Sequence, residues 1–126
     1  AAESLTIFLT SFSYRRGVPR AADLVFDVRF LANPHYEPSL RELTGLDDPV
    51  GVFIEADNVF SSFFDHLTAL LVPLLPRYLA EGKSYLTLAV GCTGGKHRSV
   101  FTARKLAKWF EKRGQTVQVL HRELPN

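Results

Sequence analysis

The chain has 126 residues, of which 46% are hydrophobic and 22% charged, a balance typical of one folded domain and not of a disordered chain. Its single cysteine, Cys92, excludes an internal disulfide and favours a reducing, cytoplasmic setting. The net charge of +2 conceals an asymmetry, because residues 37–82 carry eight acids and two bases, whereas residues 96–126 carry eight bases and two acids, so an anionic ligand or partner is expected near the basic part.

Two strands are predicted in the first quarter of the chain. Residues 4–12 and 22–29 alternate as strands of a sheet do. The loop between them contains Arg15 and Arg16 just past a strand end, which is where ligands collect in open α/β sheets. No apolar run approaches the roughly 20 residues of a membrane span, so no membrane partner is expected.

Polar side chains crowd the end of the second predicted strand. Asp27 and Arg29 are two residues apart and face the same side of a strand, which favours an ion pair between them. Arg29 and His35 flank the rigid turn at Pro34, with Asn33 beside it, and this turn lies at the same expected sheet edge as the glycine loop discussed below. Arg29 and His35 are therefore candidate ligand contacts.

Helical segments are predicted in the middle of the chain. Residues 38–45 can form a short helical turn closed by a glycine, and the Asp-Pro pair at 48–49 begins a brief helix that ends near residue 55. A longer apolar stripe starts at residue 58, and Pro73 and Pro76 are expected to kink or restart that helix before it ends at Gly82.

The segment at 84–99, SYLTLAVGCTGGKHRS, reads as a strand, a glycine turn and the start of a helix that continues to Gly114. Such a unit aims backbone N–H groups and the positive end of a helix dipole at one point, which favours a bound anion. The alternative is a tight turn whose glycines only permit packing and whose cations are solvated. Thr93, Lys96, His97, Arg98 and Ser99 could add side-chain contacts to phosphate oxygens. A last strand is predicted over residues 116–120, and together these elements predict an α/β fold with an open, mixed sheet of about four or five strands and flanking helices.

The glycine turn before the last helix matches one known phosphate-binding motif and not another. A Walker A loop is excluded, because one residue is missing and a histidine stands where Ser or Thr should hold magnesium. The residues from Cys92 to Ser99 do fit C-x5-R-S, the spacing of cysteine phosphatases, with Cys92 as nucleophile, Arg98 as phosphate ligand and Asp23 or Asp27 as general acid. A third alternative is an oligomerisation module, supported only by the phenylalanine-rich stripe at 60–71.

Several long motifs carry a more specific signal. SFSYRRGVPRAADLVFDVRFLANPH at 11–35, LTGLDDPV at 43–50 and EGKSYLTLAVGCTGGKHRSV at 81–100, with HR at 121–122, resemble the C-terminal domain of the RapZ/YvcJ family. The resemblance implies a subdomain similar to one of phosphofructokinase, and a single domain over residues 1–126 of a larger protein. The family's P-loop domain, which would bind ATP or GTP, is not in this chain.

The resemblance further implies an adaptor and not a catalyst, with no cofactor, metal or catalytic residue in this domain. The expected partners are a phosphorylated amino sugar such as glucosamine-6-phosphate, a small regulatory RNA, an endoribonuclease and further copies of the protein. The implied ligand-binding residues are Arg29, Asn33, His35, Cys92, Thr93, Gly94, Gly95, Lys96, His97, Arg98 and Ser99. The candidate RNA-binding residues are Arg15, Arg16, Arg104, Lys105, Lys108, Lys112, Arg113 and Arg122. The competing explanations are a solvated basic turn for Arg15 and Arg16 and a solvated basic face for the residues on the helix.

Overall fold

A computed structural model describes residues 5–125 and contains one four-stranded sheet. Its strands are β1 (Thr6–Ser13), β2 (Leu24–Asp27), β3 (Tyr85–Cys92) and β4 (Thr116–His121). The order across the sheet is β2-β3-β1-β4, and all three ladders are parallel. The predicted α/β class and strand number are confirmed, but the described ladders are parallel where a mixed sheet was expected. Ser4, where the first strand was predicted to begin, lies outside the described residues.

Three helices join the strands, namely α1 (Asp48–Glu55), α2 (Asn58–Ala80) and α3 (Arg98–Lys112). Helix α2 does not restart at Pro73 or Pro76, because it is continuous through both prolines, which are exposed, and the predicted kink stays a prediction. The helical turn predicted over residues 38–45 is found only at its start, where the Arg41 amide donates to the Glu37 carbonyl at 3.1 Å. That segment forms hydrogen-bonded turns, preceded by a short 3-10 helix at Pro34–Tyr36.

The core lies between one face of the sheet and the helices. The odd-numbered residues of β1, such as Ile7 and Leu9, and the even-numbered residues of β3, such as Leu86 and Leu88, are fully buried in this core. Helix α3 contributes Phe110 together with other apolar residues of its inner face. The connection from β2 to β3 through α1 and α2 and the connection from β3 to β4 through α3 both run toward the β4 edge of the sheet. Because such connections are right-handed, all three helices lie on the same face of the sheet.

Helix α2 is long and apolar enough to cross a membrane by length and composition alone, with 23 residues and a mean hydropathy of 1.4 in its most apolar window. The sequence had predicted that no apolar run is long enough to span a membrane. Phe60, Leu67, Leu71 and Leu75 of this helix are nevertheless buried against the other elements. Helix α2 is therefore a core helix of this α/β domain.

Parallel pairing gives the sheet a chemically distinct edge. Ser13, Asp27, Cys92 and His121 end the four strands, and parallel strands end on the same side of a sheet. The segments that follow them are consequently gathered along one edge, where ligands of open α/β sheets bind.

Candidate anion site

The loop after β3 is fastened to the end of β1. Ser13 Oγ donates to the Thr93 carbonyl at 2.6 Å. Gly95 has a φ of +73°, and a Cβ atom there would lie 2.9 Å from the Ser13 amide nitrogen and 2.5 Å from Glu123 Cγ. Only glycine satisfies both conditions without a shift of the backbone, so this residue sets the path of the loop.

The Cys92 thiol organises the interior of the loop. Its sulfur accepts the amides of Gly95 at 3.3 Å and Ser99 at 3.4 Å, and it donates to Ser99 Oγ at 3.1 Å. Cys92 is 2% exposed and belongs to the hydrophobic core. The thiol therefore holds the turn together from the inside.

Other amides of the loop remain available to a ligand. Among residues 5–125 there is no acceptor for the backbone N–H groups of Gly94, Lys96, His97 and Arg98. These groups lie at the N-terminus of the 15-residue helix α3, where its dipole is positive. Unpaired donors beside a positive dipole are the arrangement that binds an anion.

Arg98 is buried and fixed beside these amides. Its guanidinium donates from Nη1 to the carbonyls of Arg29 at 2.5 Å and Leu31 at 3.1 Å, and Nη2 lies 3.4 Å from Thr93 Oγ1. The residue is only 5% exposed and also lines a cavity at the sheet edge. Arg98 thus joins the segment after β2 to the start of α3 and places a positive charge at the cavity wall.

His97 contributes a second buried polar side chain. It is 7% exposed, and its Nε2 atom has no hydrogen-bond partner among the described residues. Burial lowers the pKa of His97, and this effect exceeds the opposing effect of hydrogen bonding with the backbone of Leu43, Leu40 and Arg41. The imidazole is therefore neutral at neutral pH. His97 is among the residues that line the cavity.

The cavity has a volume of about 450 Å³ and unites three segments of the chain. It is lined by Arg15, Asn33, His35, Tyr36, Arg41, Glu42, Cys92, Thr93, Gly94, Lys96, His97 and Arg98. Eight of the eleven predicted ligand residues are in this lining, and Arg15 joins them from the predicted RNA set. Four of the lining side chains are permanent cations and only one is a carboxylate, so the cavity favours anions.

Tyr36, Arg41 and Glu42 line the cavity but had not been singled out in the sequence. Arg41 Nε donates to the His35 carbonyl at 2.8 Å, a hydrogen bond within the turn segment that lines the cavity. No motif marks these residues. The only available signal was their position within seven residues of the His35 turn.

Three predicted ligand residues do not line the cavity. Arg29 pairs with Asp27 at 2.7 Å and lies 3.9 Å above the Tyr14 ring, which confirms the ion-pair alternative. The hydrogen bond from Arg29 also lowers the pKa of Asp27. Gly95 and Ser99 act through the loop structure, because their amides bind the Cys92 sulfur.

The predicted RNA-binding cations fall into two separate groups. Arg15, Arg16 and Arg122 lie at the strand ends, where Arg122 Nη1 donates to the Gly17 carbonyl at 3.3 Å. The others lie on α3 and just past its end: Arg104, Lys105, Lys108, Lys112 and Arg113. These two basic surfaces can be tested independently.

The geometry does not favour the cysteine phosphatase alternative. Cys92 lines the cavity but is only 2% exposed, and its thiol is engaged by the loop itself, whereas a reactive cysteine needs access to its substrate. Asp23 bonds Thr87 and pairs with Lys83 at the opposite edge of the sheet, and Asp27 is neutralised by Arg29. Neither carboxylate is hydrogen-bonded to the thiol. Residues 5–125 contain no cluster of three or more metal-ligating side chains.

The fold and the site define a class of protein: a parallel α/β domain with an anion cavity at the carboxyl ends of its strands. Comparison with known families narrows this class. The model described as the RapZ C-terminal domain matches residues 5–125, so the chain belongs to that family and the resemblance noted in the sequence is confirmed.

Similar proteins support the same assignment. A nucleotide-binding protein of Rhodospirillum centenum is 64% identical over 121 residues, covering 96% of this chain and 36% of that protein. One from Rhodospirillum rubrum is 62% identical over 120 residues, covering 95% of this chain and 38% of that protein. One from Symbiobacterium thermophilum is 54% identical over 117 residues, covering 93% and 39% respectively. The chain therefore spans less than two fifths of the length of these relatives.

Proposed function

We propose that this domain senses a phosphorylated amino sugar in its anion cavity and reports the bound state without chemically changing the ligand. One observation carries the proposal: four backbone N–H groups at and just before the start of α3 have no acceptor among residues 5–125, and they lie next in sequence to the buried guanidinium of Arg98 or on Arg98 itself. A phosphate accepts several N–H bonds at once and gains from the positive helix dipole and the fixed cation.

The remaining lining supports a sugar attached to the phosphate. A cavity of about 450 Å³ lies within the range of small-molecule sites and exceeds what a bare phosphate needs. Asn33 and His35 can bond hydroxyl groups, and Glu42 is the one carboxylate among the lining cations. A carboxylate in that position would pair with a ligand ammonium, which supports an amino sugar over its neutral analogue.

Lys96→Ala is expected to weaken binding of glucosamine-6-phosphate about tenfold, because the variant lacks a charge-assisted hydrogen bond to the phosphate. Isothermal titration would measure this against Lys112→Ala, which removes an exposed lysine of α3 that does not line the cavity. Glucose-6-phosphate and inorganic phosphate should bind more weakly than the amino sugar.

Two results would contradict the sensor. One is that no sugar phosphate gives a heat of binding at millimolar concentration. The other is release of inorganic phosphate from the ligand or an aryl phosphate that Cys92→Ser abolishes, because this would identify a cysteine phosphatase.

We infer further that the full-length protein is a cytoplasmic, self-associating adaptor, in which this domain is joined to a P-loop nucleotide-binding domain. There it would bind a small regulatory RNA and present it to an endoribonuclease. The strand-end cations support the RNA contact best, because Arg15 lines the ligand cavity and Arg16 is largely exposed beside it. On α3, Arg104 and Lys105 already bond Gly45 and Glu55.

Arg15→Ala combined with Arg16→Ala is expected to weaken binding of a stem-loop RNA and to reduce its salt dependence. The log–log slope should fall by about one unit for each RNA phosphate that is no longer neutralised. Filter binding at several salt concentrations would measure both quantities. Lys108→Ala combined with Lys112→Ala removes the same charge from α3 and is the matched control. If the control variant loses more affinity than the Arg15 and Arg16 variant, the RNA binds on α3. RNA binding that does not depend on salt would refute both basic surfaces as RNA-binding sites.

A further inference from the structure

A second cavity of about 590 Å³ lies on the helical side of the domain and shares no residue with the anion cavity. We call it the helix groove, because α1, α2 and α3 form its walls. Its lining is Asp48, Gly51, Val52, Glu55, Phe64, Phe101, Arg104, Lys105, Lys108, Trp109 and Lys112. The groove is therefore a separate candidate binding surface.

The floor of the helix groove is apolar and aromatic. Phe64, Phe101 and Trp109 come from two helices, and Val52 beside them is 69% exposed. A Cβ atom at Gly51 would lie 2.7 Å from the Phe101 ring, so the glycine allows this ring to sit directly against α1. The surface combines a packed aromatic base with an apolar side chain left in water, as at sites that receive a partner's apolar side chain.

The two walls of the helix groove carry opposite charges. The α3 wall presents cations at three- and four-residue spacing, namely Arg104, Lys105, Lys108 and Lys112, whereas the α1 wall presents Asp48 and Glu55. Lys105 pairs with Glu55 at 2.6 Å across the groove, about 6 Å from the centres of three phenyl rings.

Two cations of the α3 wall remain uncompensated. Lys108 and Lys112 are exposed, have no acidic partner among residues 5–125, and repel each other at i,i+4 spacing. Carboxylates one helical turn apart on a partner would relieve that repulsion.

From this geometry we propose that the helix groove docks an amphipathic helix of a partner protein, with an apolar stripe on the aromatic floor and an acidic flank along α3. Charge complementarity fixes the orientation, because the acidic flank avoids Asp48 and faces Lys108 and Lys112. A helix suits the site because its apolar residues recur every three or four positions and form one stripe. Such a stripe can lie along the aromatic floor of a groove between helices.

Nucleic acid fits this groove less well. A phosphate chain would pass the carboxylates of Asp48 and Glu55 on the α1 wall and gain nothing from the aliphatic side chain of Val52. The Trp109 ring, the natural stacking platform, already has the Arg113 guanidinium 5.1 Å from its centre. The proposal does not depend on the sugar-phosphate function, because the two cavities have no residue in common.

The test uses three fluorescein-labelled probes and the full 126-residue chain. The first is an alanine-rich peptide of about 16 residues with a leucine and phenylalanine stripe and a glutamate flank. The second has lysine for glutamate, and the third is an oligouridine of about ten nucleotides. Anisotropy measures affinity, and emission from Trp109, the only tryptophan in the chain, reports whether an unlabelled probe enters the groove.

The glutamate peptide is expected to bind at least about tenfold more tightly than the lysine peptide and to shift the Trp109 emission. Lys108→Glu should weaken it about tenfold, because attraction becomes repulsion. Arg77→Glu makes the same charge change elsewhere and should have no effect. Val52→Asp should also weaken binding, whereas Val59→Asp, at another exposed valine, should not.

Equal affinity for the two peptides, or equal losses in the variants and their controls, would overturn the proposal. Oligouridine binding that Lys108→Glu abolishes, with no competition from the glutamate peptide, would make the groove a nucleic-acid site instead. Loss of sugar-phosphate binding would leave the peptide result unchanged, so the two proposals fail separately.

Discussion

Replacing Arg98 by alanine is expected to lower the free energy of unfolding by about 3 kcal/mol and to abolish phosphate binding. The buried guanidinium bonds the carbonyls of Arg29 and Leu31. Hydrogen bonds from charged groups contribute about 1.5–3 kcal/mol each, and carbonyls left buried without donors bear the cost of desolvation. Urea unfolding and isothermal titration would measure the two effects.

Arg41→Ala separates the loss of charge from the loss of structure. Arg41 lines the same cavity, but it is exposed, and among residues 5–125 its side chain bonds only the His35 carbonyl. Its removal should cost less than about 1 kcal/mol of stability and weaken phosphate binding without abolishing it. Arg98→Lys should restore the charge but not the paired carbonyl contacts, because lysine lacks the planar fork. A stability within about 0.5 kcal/mol of wild type for Arg98→Ala would show that the carbonyl contacts contribute little.

Gly45→Ala is expected to destabilise the domain by about 3 kcal/mol, near the upper end for overpacked sites. An added Cβ atom would lie 2.5 Å from both the His97 carbonyl oxygen and the Phe101 amide nitrogen. Both are backbone atoms at the start of α3, and the Gly45 amide itself donates to the Lys96 carbonyl at 2.8 Å. The methyl group can be accommodated only if the N-terminus of α3 moves, so phosphate affinity should fall together with stability.

Gly94→Ala is the matched control for this prediction. No atom lies within 4 Å of a Cβ atom built there, and Gly94 does not have a positive φ. Its free energy of unfolding should change little, and thermal or urea unfolding of both variants would show the contrast. Equal stability of Gly45→Ala and Gly94→Ala would mean that the approach of the turn segment to α3 is loose.

Local sequence patterns predicted most of the elements of this fold. The alternation around Ile7 and Leu86 reflects side chains that project to opposite faces of a strand, and the spacing from Val100 to Phe110 reflects one face of a helix. The glycine turn before α3 was also recognisable, because clustered glycines have few other uses between a strand and a helix. These features depend on neighbours in the chain, so one sequence contains them.

The role of Gly45 could not be predicted from local sequence patterns. The sequence suggested a glycine that terminates a helical turn, but the structure requires glycine there because α3 passes within van der Waals distance. Arg98 was correctly assigned to the anion site, yet its bonds to carbonyls nearly 70 residues earlier in the chain could not be foreseen. Both facts are contacts between segments that are distant in sequence.

By itself, the sequence determined that this chain has an α/β fold, a candidate anchor for an anion at the start of its last helix, and the motifs of the RapZ C-terminal domain. Only the tertiary structure decided that the cavity is completed by Tyr36, Arg41 and Glu42 and that Arg29 is turned toward Asp27. The physical reason is that periodicity is a property of consecutive residues, whereas a site at a sheet edge depends on strand order. The parallel order β2-β3-β1-β4 brings the ends of four separate segments together, and no local pattern specifies that order.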